Sequence, residues 1–191
     1  MVGCASPILL DFPDHFETER LLLRAPHPGD GRTVNGAVRE SVNELSPWMP
    51  WVHPVQTVEQ TEEFIRRAAA HWLTREDLPL LLWRKSDGVF VGASGLHRID
   101  WSVPCMEIGY WVRTSLAGQG YITEAVRGIT EFAFKTLGAQ RLEIRCDARN
   151  TRSAAVAERA GYRLEARLHH QARDVNGALR DTLIYVRFPE A

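Results

Sequence analysis

The chain has 191 residues, 45% of them apolar, which suits one domain with a single hydrophobic core, and no apolar run reaches the roughly 18 residues that span a bilayer. The 23 lysines and arginines nearly balance the 24 aspartates and glutamates, and a net charge of −1 excludes a strong overall field for binding nucleic acid or an anionic membrane. Cys4, Cys105 and Cys146 form no CxxC pair and follow no secretory leader, which favours a reduced, cytoplasmic setting.

Hydrophobic periodicity and turn residues divide the chain into predicted elements. Residues 1–16 contain two prolines and no sustained period, so we expect a leader that lies against the surface or is partly disordered, ahead of one domain over 17–191. The elements predicted after it are strand 20–25, a helix from the cap Asp30 to about Glu44, helix 57–75 with a buried stripe of Phe64, Ile65, Ala68, Trp72 and Leu73, strands 78–83, 90–96 and 105–112, a helix through 122–133 ended by Gly138, strand 142–147, helix 151–159 capped by Asn150, and strands 164–170 and 179–187.

Between the two early helices lies the segment SPWMPWVHP, residues 46–54. Its three prolines prevent any regular element from persisting. Trp48 and Trp51 in this segment can either cover the core with apolar area or form a wall of a substrate pocket, and the sequence leaves both open. The whole order predicts one mixed α/β layer structure without internal repeats.

A glycine-bearing junction, WVRTSLAGQGYITEAV (111–126), joins a predicted strand to the helix after it. Such a turn points several backbone N–H groups one way, at the positive end of the helix dipole, where phosphate oxygens bind. Glycine is needed because a side chain would come between the backbone and the anion, and because the turn can require a positive φ. Taken alone, Gly118 and Gly120 fit an ordinary strand-to-helix turn equally well.

Two other phosphate-binding loops fit this junction poorly. A Walker loop requires GxxxxGK[ST], and the sequence contains no Gly-Lys pair. A dinucleotide-binding fold requires GxGxxG, but Thr123 stands where the third glycine should be, and the neighbouring strands are predicted to be antiparallel. A dinucleotide-dependent oxidoreductase is therefore disfavoured.

Four ordered motifs make the signal more specific: EIGYWV at 107–112, AGQGYITEA at 117–125, NTRS at 150–153 and AGY at 160–162. Together with the opening ETERLLLR and the WMPW segment, they resemble the GNAT superfamily of acyl-CoA-dependent N-acyltransferases. The similarity is to its RimJ/RimL-like branch of ribosomal-protein N-terminal acetyltransferases and extends from about Glu17 to the end. It implies an α/β fold with a mixed, mostly antiparallel sheet of six or seven strands, splayed centrally and flanked by helices.

The resemblance also implies a coenzyme A site. The family's loop has Gln or Arg where this chain has Ala117, and a small residue where it has Ile122, whose side chain must then turn away. Because backbone N–H groups make the main contacts, both departures can preserve the phosphate cradle. The residues expected to bind the cofactor are Val112, Ala117, Gly118, Gln119, Gly120, Tyr121, Ile122, Asn150 and Ser153.

Three residues are expected to act on the reaction. The resemblance implies that the Tyr110 N–H lies near the thioester carbonyl, where it would stabilise developing negative charge. It makes Glu107, on the strand just before that site, the best-placed base, acting directly or through water. Asp147 and Asp100 are weaker alternatives. Ala157 occupies the position at which many relatives have a tyrosine that protonates the departing thiolate. The resemblance implies that Ser153, which matches a serine of the RimL-like branch, takes this role instead. The alternatives are a structural Glu107, a plain helical Ser153 and an Asn150 that only caps its helix.

The expected activity is transfer of acetyl from acetyl-CoA to a primary amine, a protein N-terminus or a small molecule, by direct attack in a ternary complex. Alternatives are a succinyl-CoA or longer-chain enzyme, with a basic side chain from His97, Arg98 or Arg113 over the acyl pocket, and a non-catalytic coenzyme A binding module. Exposed strands or tryptophan surfaces would allow a homodimer. The histidines have no metal-ligand spacing, so no metal is expected; they include His53, His71, His97, His169 and His170.

Overall fold

A computed structural model describes residues 6–190, over which eight strands form one sheet. The strands are β1 (His15–Glu17), β2 (Leu21–Arg24), β3 (Leu78–Arg84), β4 (Phe90–Asp100), β5 (Cys105–Val112), β6 (Arg141–Asp147), β7 (Arg163–Arg173) and β8 (Leu179–Arg187). Their order is β1-β2-β3-β4-β5-β6-β8-β7, in which β5 and β6 run parallel and the other neighbours run antiparallel. The predicted mixed, mostly antiparallel sheet is confirmed.

Helices cover both faces of this sheet. Over the same residues they are α1 (Gly31–Glu40), α2 (Val42–Leu45), α3 (Val58–Thr74), α4 (Tyr121–Lys135) and α5 (Thr151–Arg159). Leu80 packs in the cluster that contains α4, whereas Leu81 packs in the cluster that contains α1. Since successive strand residues face opposite sides, α4 and α1 lie on opposite faces of the sheet.

The sheet divides between its two central strands. β5 and β6 pair at Cys105–Arg141, Met106–Leu142 and Glu107–Glu143, and their register ends there. Beyond that point β5 stays paired with β4 as far as Val112, and β6 stays paired with β8 as far as Asp147. The two halves of the sheet therefore diverge after Glu107, which confirms the expected central splay.

The apolar stripe of α4 anchors the edge of this split. Ala125, Val126 and Ile129 have no exposed surface, and they pack against β5 and β6 through residues such as Ile108 and Leu142. Burial of one such aliphatic side chain contributes about 1.5–3 kcal/mol to folding. The N-terminal end of α4 is consequently fixed beside the end of β5, where the glycine-bearing junction lies.

The start of the chain is more ordered than predicted. β1 begins at His15, inside the segment expected to be a leader, which raises the strand count to eight. Phe16 stacks on Phe132 with ring centroids 4.7 Å apart, and Phe12 packs edge-on against Trp72. Cys4 and the other residues before Ser6 lie outside the described part of the chain.

The first predicted helix is wrong in its bounds and in its cap. The helix expected over 30–44 stops at Glu40 and resumes at Val42, and the Ser41 hydroxyl at the break accepts the Thr114 N–H. The Asp30 side chain does not cap it, because its carboxylate binds the Arg24 guanidinium and the His27 N–H instead.

The predicted stripe of α3 is narrower than expected. Ile65, Ala68 and Trp72 are buried, whereas Phe64 and Leu73 are 57% and 70% exposed. The buried stripe therefore contains Ile65, Ala68 and Trp72, at positions i, i+3 and i+7, and lacks the neighbouring positions. By contrast, β5 and α5 have the predicted bounds.

Candidate active site

The junction before α4 forms a row of free backbone donors. Gly118 has φ +77° and Gly120, the N-cap of α4, has φ +81°, so both occupy the left-handed region that glycine enters without strain. Within the described residues, the N–H groups from Gly118 to Thr123 donate no hydrogen bond. These donors at a helix N-terminus are suited to an anion. The Ile122 side chain is buried in the core and does not obstruct the loop.

Arg20 also contacts this loop from the start of the chain, although the sequence analysis did not assign it a role. Its Nη1 donates to the Gln119 carbonyl at 3.1 Å, and its guanidinium lies over the Tyr121 ring at 4.5 Å. Its Nη2 lies 3.5 Å from the point where a Cβ on Gly120 would stand. A positive charge therefore borders the row of free donors.

Glu124 holds Arg20 in that position. It accepts the Arg20 Nε at 2.6 Å and the Arg20 backbone N–H at 2.7 Å, and it also accepts the Thr18 hydroxyl. Burial favours the neutral acid, but these hydrogen bonds outweigh it and lower the pKa of Glu124. The ETERLLLR and ITEA motifs, about a hundred residues apart, are thus joined at the loop.

The split exposes backbone groups of β5. The Arg113 N–H donates to the Val91 carbonyl of β4 at 2.8 Å, and the register between the strands is continuous from Val112 back to Glu107. Since hydrogen-bonding direction alternates along an antiparallel strand, the N–H and C=O groups of Tyr110 and Val112 point away from β4, into the split. An extended ligand can pair with them as an added strand.

Tyr110, Ser153 and Asn150 meet at the start of α5. The Tyr110 hydroxyl donates to the Ser153 carbonyl at 2.9 Å and lies 3.1 Å from the Ser153 Oγ. Burial raises the pKa of Tyr110, which therefore stays protonated near neutral pH. The Asn150 side chain accepts the Ser153 N–H at 3.0 Å, so its capping role is confirmed. Ala157, in the same helix, is fully buried.

Glu107 lies at the root of the split, where β5 and β6 part. Its carboxylate is 3.4 Å from Arg98 and 3.5 Å from Arg145. Burial raises the pKa of Glu107, and the two arginines act in the opposite direction. Glu107 is absent from the lining of the cleft described below, although Arg145 belongs to it.

The two weaker carboxylate candidates have other partners. Asp147 lines the cleft, but hydrogen bonds from Arg149 lower its pKa, and Arg180 lies 3.8 Å away. Asp100 accepts the backbone N–H and the hydroxyl of Ser102 in the turn after β4. Both carboxylates are thus engaged by neighbouring groups, and only Asp147 of the two lines the cleft.

A cleft of about 1900 Å³ passes through the divided sheet. Its lining brings together nearly all the residues expected to bind the cofactor, from Val112 through the loop to Asn150 and Ser153. The far wall contains Trp48 and Trp111. Trp51 packs on Trp111 at 6.2 Å and is 47% exposed, so the two tryptophans of the WMPW segment border the cleft, whereas Met49 between them packs against the core cluster that contains α1.

The basic residues considered for a longer acyl chain are already paired. Arg113 binds Glu40 at 2.6 Å, Arg98 lies against Glu107, and His97 binds Asp77 at 2.7 Å. None of Arg113, Arg98 and His97 belongs to the cleft lining among the described residues. This arrangement gives no support to a succinyl-binding pocket.

Residues 6–190 contain neither a cluster suited to a metal ion nor a helix suited to span a membrane. No group of three or more histidine, cysteine, aspartate or glutamate side chains there is arranged to hold a metal ion. No helix in that range is both long and apolar enough to cross a membrane.

Comparison with known proteins yields a family and a fold. The model of the acetyltransferase (GNAT) domain matches residues 20–163. YdaF of Bacillus subtilis (strain 168), a predicted ribosomal N-acetyltransferase, is 30% identical over 174 residues, covering 87% of this chain and 90% of its own.

Two solved structures are similar in fold. The microcin C7 self-immunity acetyltransferase MccE, in complex with acetyl-CoA and AMP, has a TM-score of 0.85 at 23% identity, covering 93% of this chain and 98% of its own. The ribosomal L7/L12 alpha-N-protein acetyltransferase RimL, in complex with coenzyme A, has a TM-score of 0.83 at 22% identity, covering 90% of this chain and 95% of its own. Both have the same splayed-sheet architecture.

Proposed function

The chain belongs to the GNAT acetyltransferase family, in its RimJ/RimL-like branch, and we propose that it transfers the acetyl group of acetyl-CoA to the α-amino group of a protein or peptide N-terminus. One observation supports this most directly. The free backbone groups of Tyr110 and Val112 lie in the same cleft as the free donors at Gly118–Thr123. A thioester arm and its diphosphate need these two kinds of partner.

The chain's own groups fit coenzyme A along its length. The loop 117–122 would hold the diphosphate through the free N–H groups that begin at Gly118, because the Ala117 N–H already donates to the Thr114 carbonyl at 3.1 Å. Arg20 would add a positive charge. Val112 and Asn150 would bind the amide-bearing arm within the split. Acetyl-CoA supplies an activated acyl group as a thioester. Its placement beside Tyr110 leaves the far wall, with Trp48 and Trp111, to the acceptor.

The Tyr110 N–H would stabilise negative charge that develops on the acyl oxygen. It is fixed by the β4–β5 pairing and needs no reorganisation during the reaction. One such donor is worth roughly 3 kcal/mol in acyl transfer. On the leaving side, Ser153 would donate a proton to the thiolate. The Tyr110 hydroxyl lies 3.1 Å from the Ser153 Oγ and donates its own hydrogen to the Ser153 carbonyl.

Glu107 would act as a base on the acceptor nitrogen, through water, because it lies behind the cleft lining. An α-amino group has a pKa near 8, against about 10.4 for a lysine side chain, so far more of it is unprotonated at pH 7. An N-terminal acceptor therefore needs less help from the protein than a lysine would.

A thiol-release assay tests the activity. Acetyl-CoA and succinyl-CoA are each crossed with peptides that carry a free α-amino group, with the same peptides blocked at that group, and with small amines. We expect thiol release with acetyl-CoA and free peptides. Coenzyme A binding with no thiol release from any pair would indicate a non-catalytic binding module, and release with small amines alone would redirect the acceptor assignment.

A further inference from the structure

The structure builds a recess for one imidazole on the face of the sheet that carries Glu107. Gly95 on β4 and Gly109 on β5 lie directly opposite each other. A Cβ on Gly95 would stand 2.8 Å from the Leu78 carbonyl oxygen of β3 and 2.9 Å from His97 Cε1, and a Cβ on Gly109 would stand 3.2 Å from His97 Cδ2. The His97 ring therefore lies across both glycines, and larger residues at these positions would displace it.

Asp77, just before β3, fixes the orientation of this ring. His97 Nδ1 and Asp77 Oδ1 are 2.7 Å apart. In a neutral imidazole that donates from Nδ1 to this carboxylate, Nε2 carries the free lone pair. Nε2 lies 3.4 Å from the point where a Cβ on Gly109 would stand, and Gly109 lines the cleft.

The chemistry of the proposed reaction calls for a second proton acceptor. An ammonium nitrogen enters with three hydrogens and leaves as an amide with one, so two protons must depart in each turnover. One ends on the thiol and the other is released to solvent. The unperturbed pKa of an imidazole, near 6.5, is closer to that of an ammonium near 8 than the unperturbed pKa of a carboxyl group, near 4.3, so an imidazole suits the first loss better. Burial narrows this difference for Glu107 by raising its pKa. After the C–N bond forms, the nitrogen is far more acidic, and a carboxylate suffices.

We propose that His97, oriented by Asp77, accepts the first of these protons and so converts the acceptor's ammonium into the attacking amine; this rests on the proposed acetyl transfer. Because His97 lies outside the cleft lining, the proton passes through a bridging water. The N–H bond of the ammonium breaks as its proton joins the water, and the water gives one of its own protons to His97 Nε2, which leaves an imidazolium paired with Asp77. Its 34% exposed side chain then returns the proton to water. Glu107 takes the second proton, which offsets the proton that Ser153 gives to the thiolate, so that each turnover leaves one proton on the thiol and one in solvent.

The charged groups around His97 are consistent with this role. Asp77 faces it from the segment before β3, and Glu107 lies directly opposite it on β5. Both carboxylates stabilise an imidazolium. Arg98 on the same strand and Arg145 on β6 oppose that effect, but both lie against Glu107.

The test is the pH dependence of kcat/KM for His97→Gln with a peptide acceptor. Without the imidazole, the enzyme must use the amine that is already unprotonated, about one tenth of the total at pH 7 for a pKa near 8. We expect kcat/KM to be about tenfold below wild type at pH 7 and equal to it at pH 9. A structural role would lower the rate by the same factor at both values.

Matched variants complete the experiment. His71→Gln removes a half-exposed histidine on α3 that also faces a carboxylate, Glu76, and should leave the profile unchanged. Asp77→Asn keeps the imidazole but removes its orienting partner, so it should reproduce the loss at pH 7, and it carries the test if His97→Gln fails to fold. A loss independent of pH, or no loss, overturns the role of His97. Absence of thiol release by the wild-type protein would instead overturn the proposed function.

Discussion

Replacement of Gly120 by alanine examines whether the loop conformation holds coenzyme A. Gly120 has φ +81°, and Gly138, beyond the C-terminal end of α4, has φ +68°. A residue with a side chain costs roughly 1–2 kcal/mol in this region. Alanine recovers about 0.4–1 kcal/mol by restricting the unfolded chain. Both variants should therefore lose about 1 kcal/mol of the free energy of unfolding.

The two variants should differ in their affinity for coenzyme A, because Gly120 lies in the loop and Gly138 lies outside it. A Cβ on Gly120 would stand 3.5 Å from Arg20 Nη2, whereas a Cβ on Gly138 would have no neighbour within 4 Å. If the strain at residue 120 moves the loop away from its binding conformation, coenzyme A must restore that conformation when it binds. We expect its dissociation constant to rise about tenfold in Gly120→Ala, equivalent to about 1.4 kcal/mol, and to stay constant in Gly138→Ala.

Urea unfolding measures the stability of both variants, and isothermal titration with coenzyme A measures the affinity. Gly138→Ala serves as the control for strain alone. Equal affinities in the two variants, with the expected loss of stability in both, would show that the loop conformation does not determine binding and would refute the assignment of residues 117–122.

Three further predictions follow from the same site. Arg20→Met should weaken coenzyme A binding about tenfold in titration, with less effect on pantetheine, which lacks the diphosphate; equal weakening of both ligands would exclude a phosphate contact. Glu107→Gln should lower kcat about 100-fold with coenzyme A affinity unchanged, and because the base must be ionised, the contribution of Glu107 should fall as pH drops through a pKa that burial raises. Ser153→Ala should lower kcat for acetyl-CoA about tenfold, with a smaller loss for a thioester whose thiol is more acidic; an equal loss for both would contradict proton donation to the leaving group.

Local signals predicted the parts of the fold that local sequence controls. The bounds of α5 follow from the cap at Asn150 and the glycine at Gly161, and those of β5 follow from its alternation and the junction after it. β1 has only three residues and no period of its own. It forms because β2 pairs with it and because Phe16 stacks on Phe132, which is remote in sequence.

The site shows the same division between local and remote signals. Gly118 and Gly120 allowed the loop to be predicted from the sequence, because glycine enters the positive-φ region on its own account, without help from remote residues. Arg20 and His97 were not assigned these roles, because their significance depends on Glu124 and Asp77, which approach only when the sheet forms. The two opposed glycines beside His97 were a signal in principle, but their register across β4 and β5 had to be known first.

The most direct test of the central claim is a crystal structure with bound coenzyme A. The account predicts that the diphosphate lies on the N–H groups of residues 118–123 and that the thiol-bearing arm enters the split, hydrogen-bonded to the backbone of Val112, with its sulfur beside Ser153. A diphosphate away from this loop, or an arm that leaves the groove between β5 and β6 empty, would contradict it.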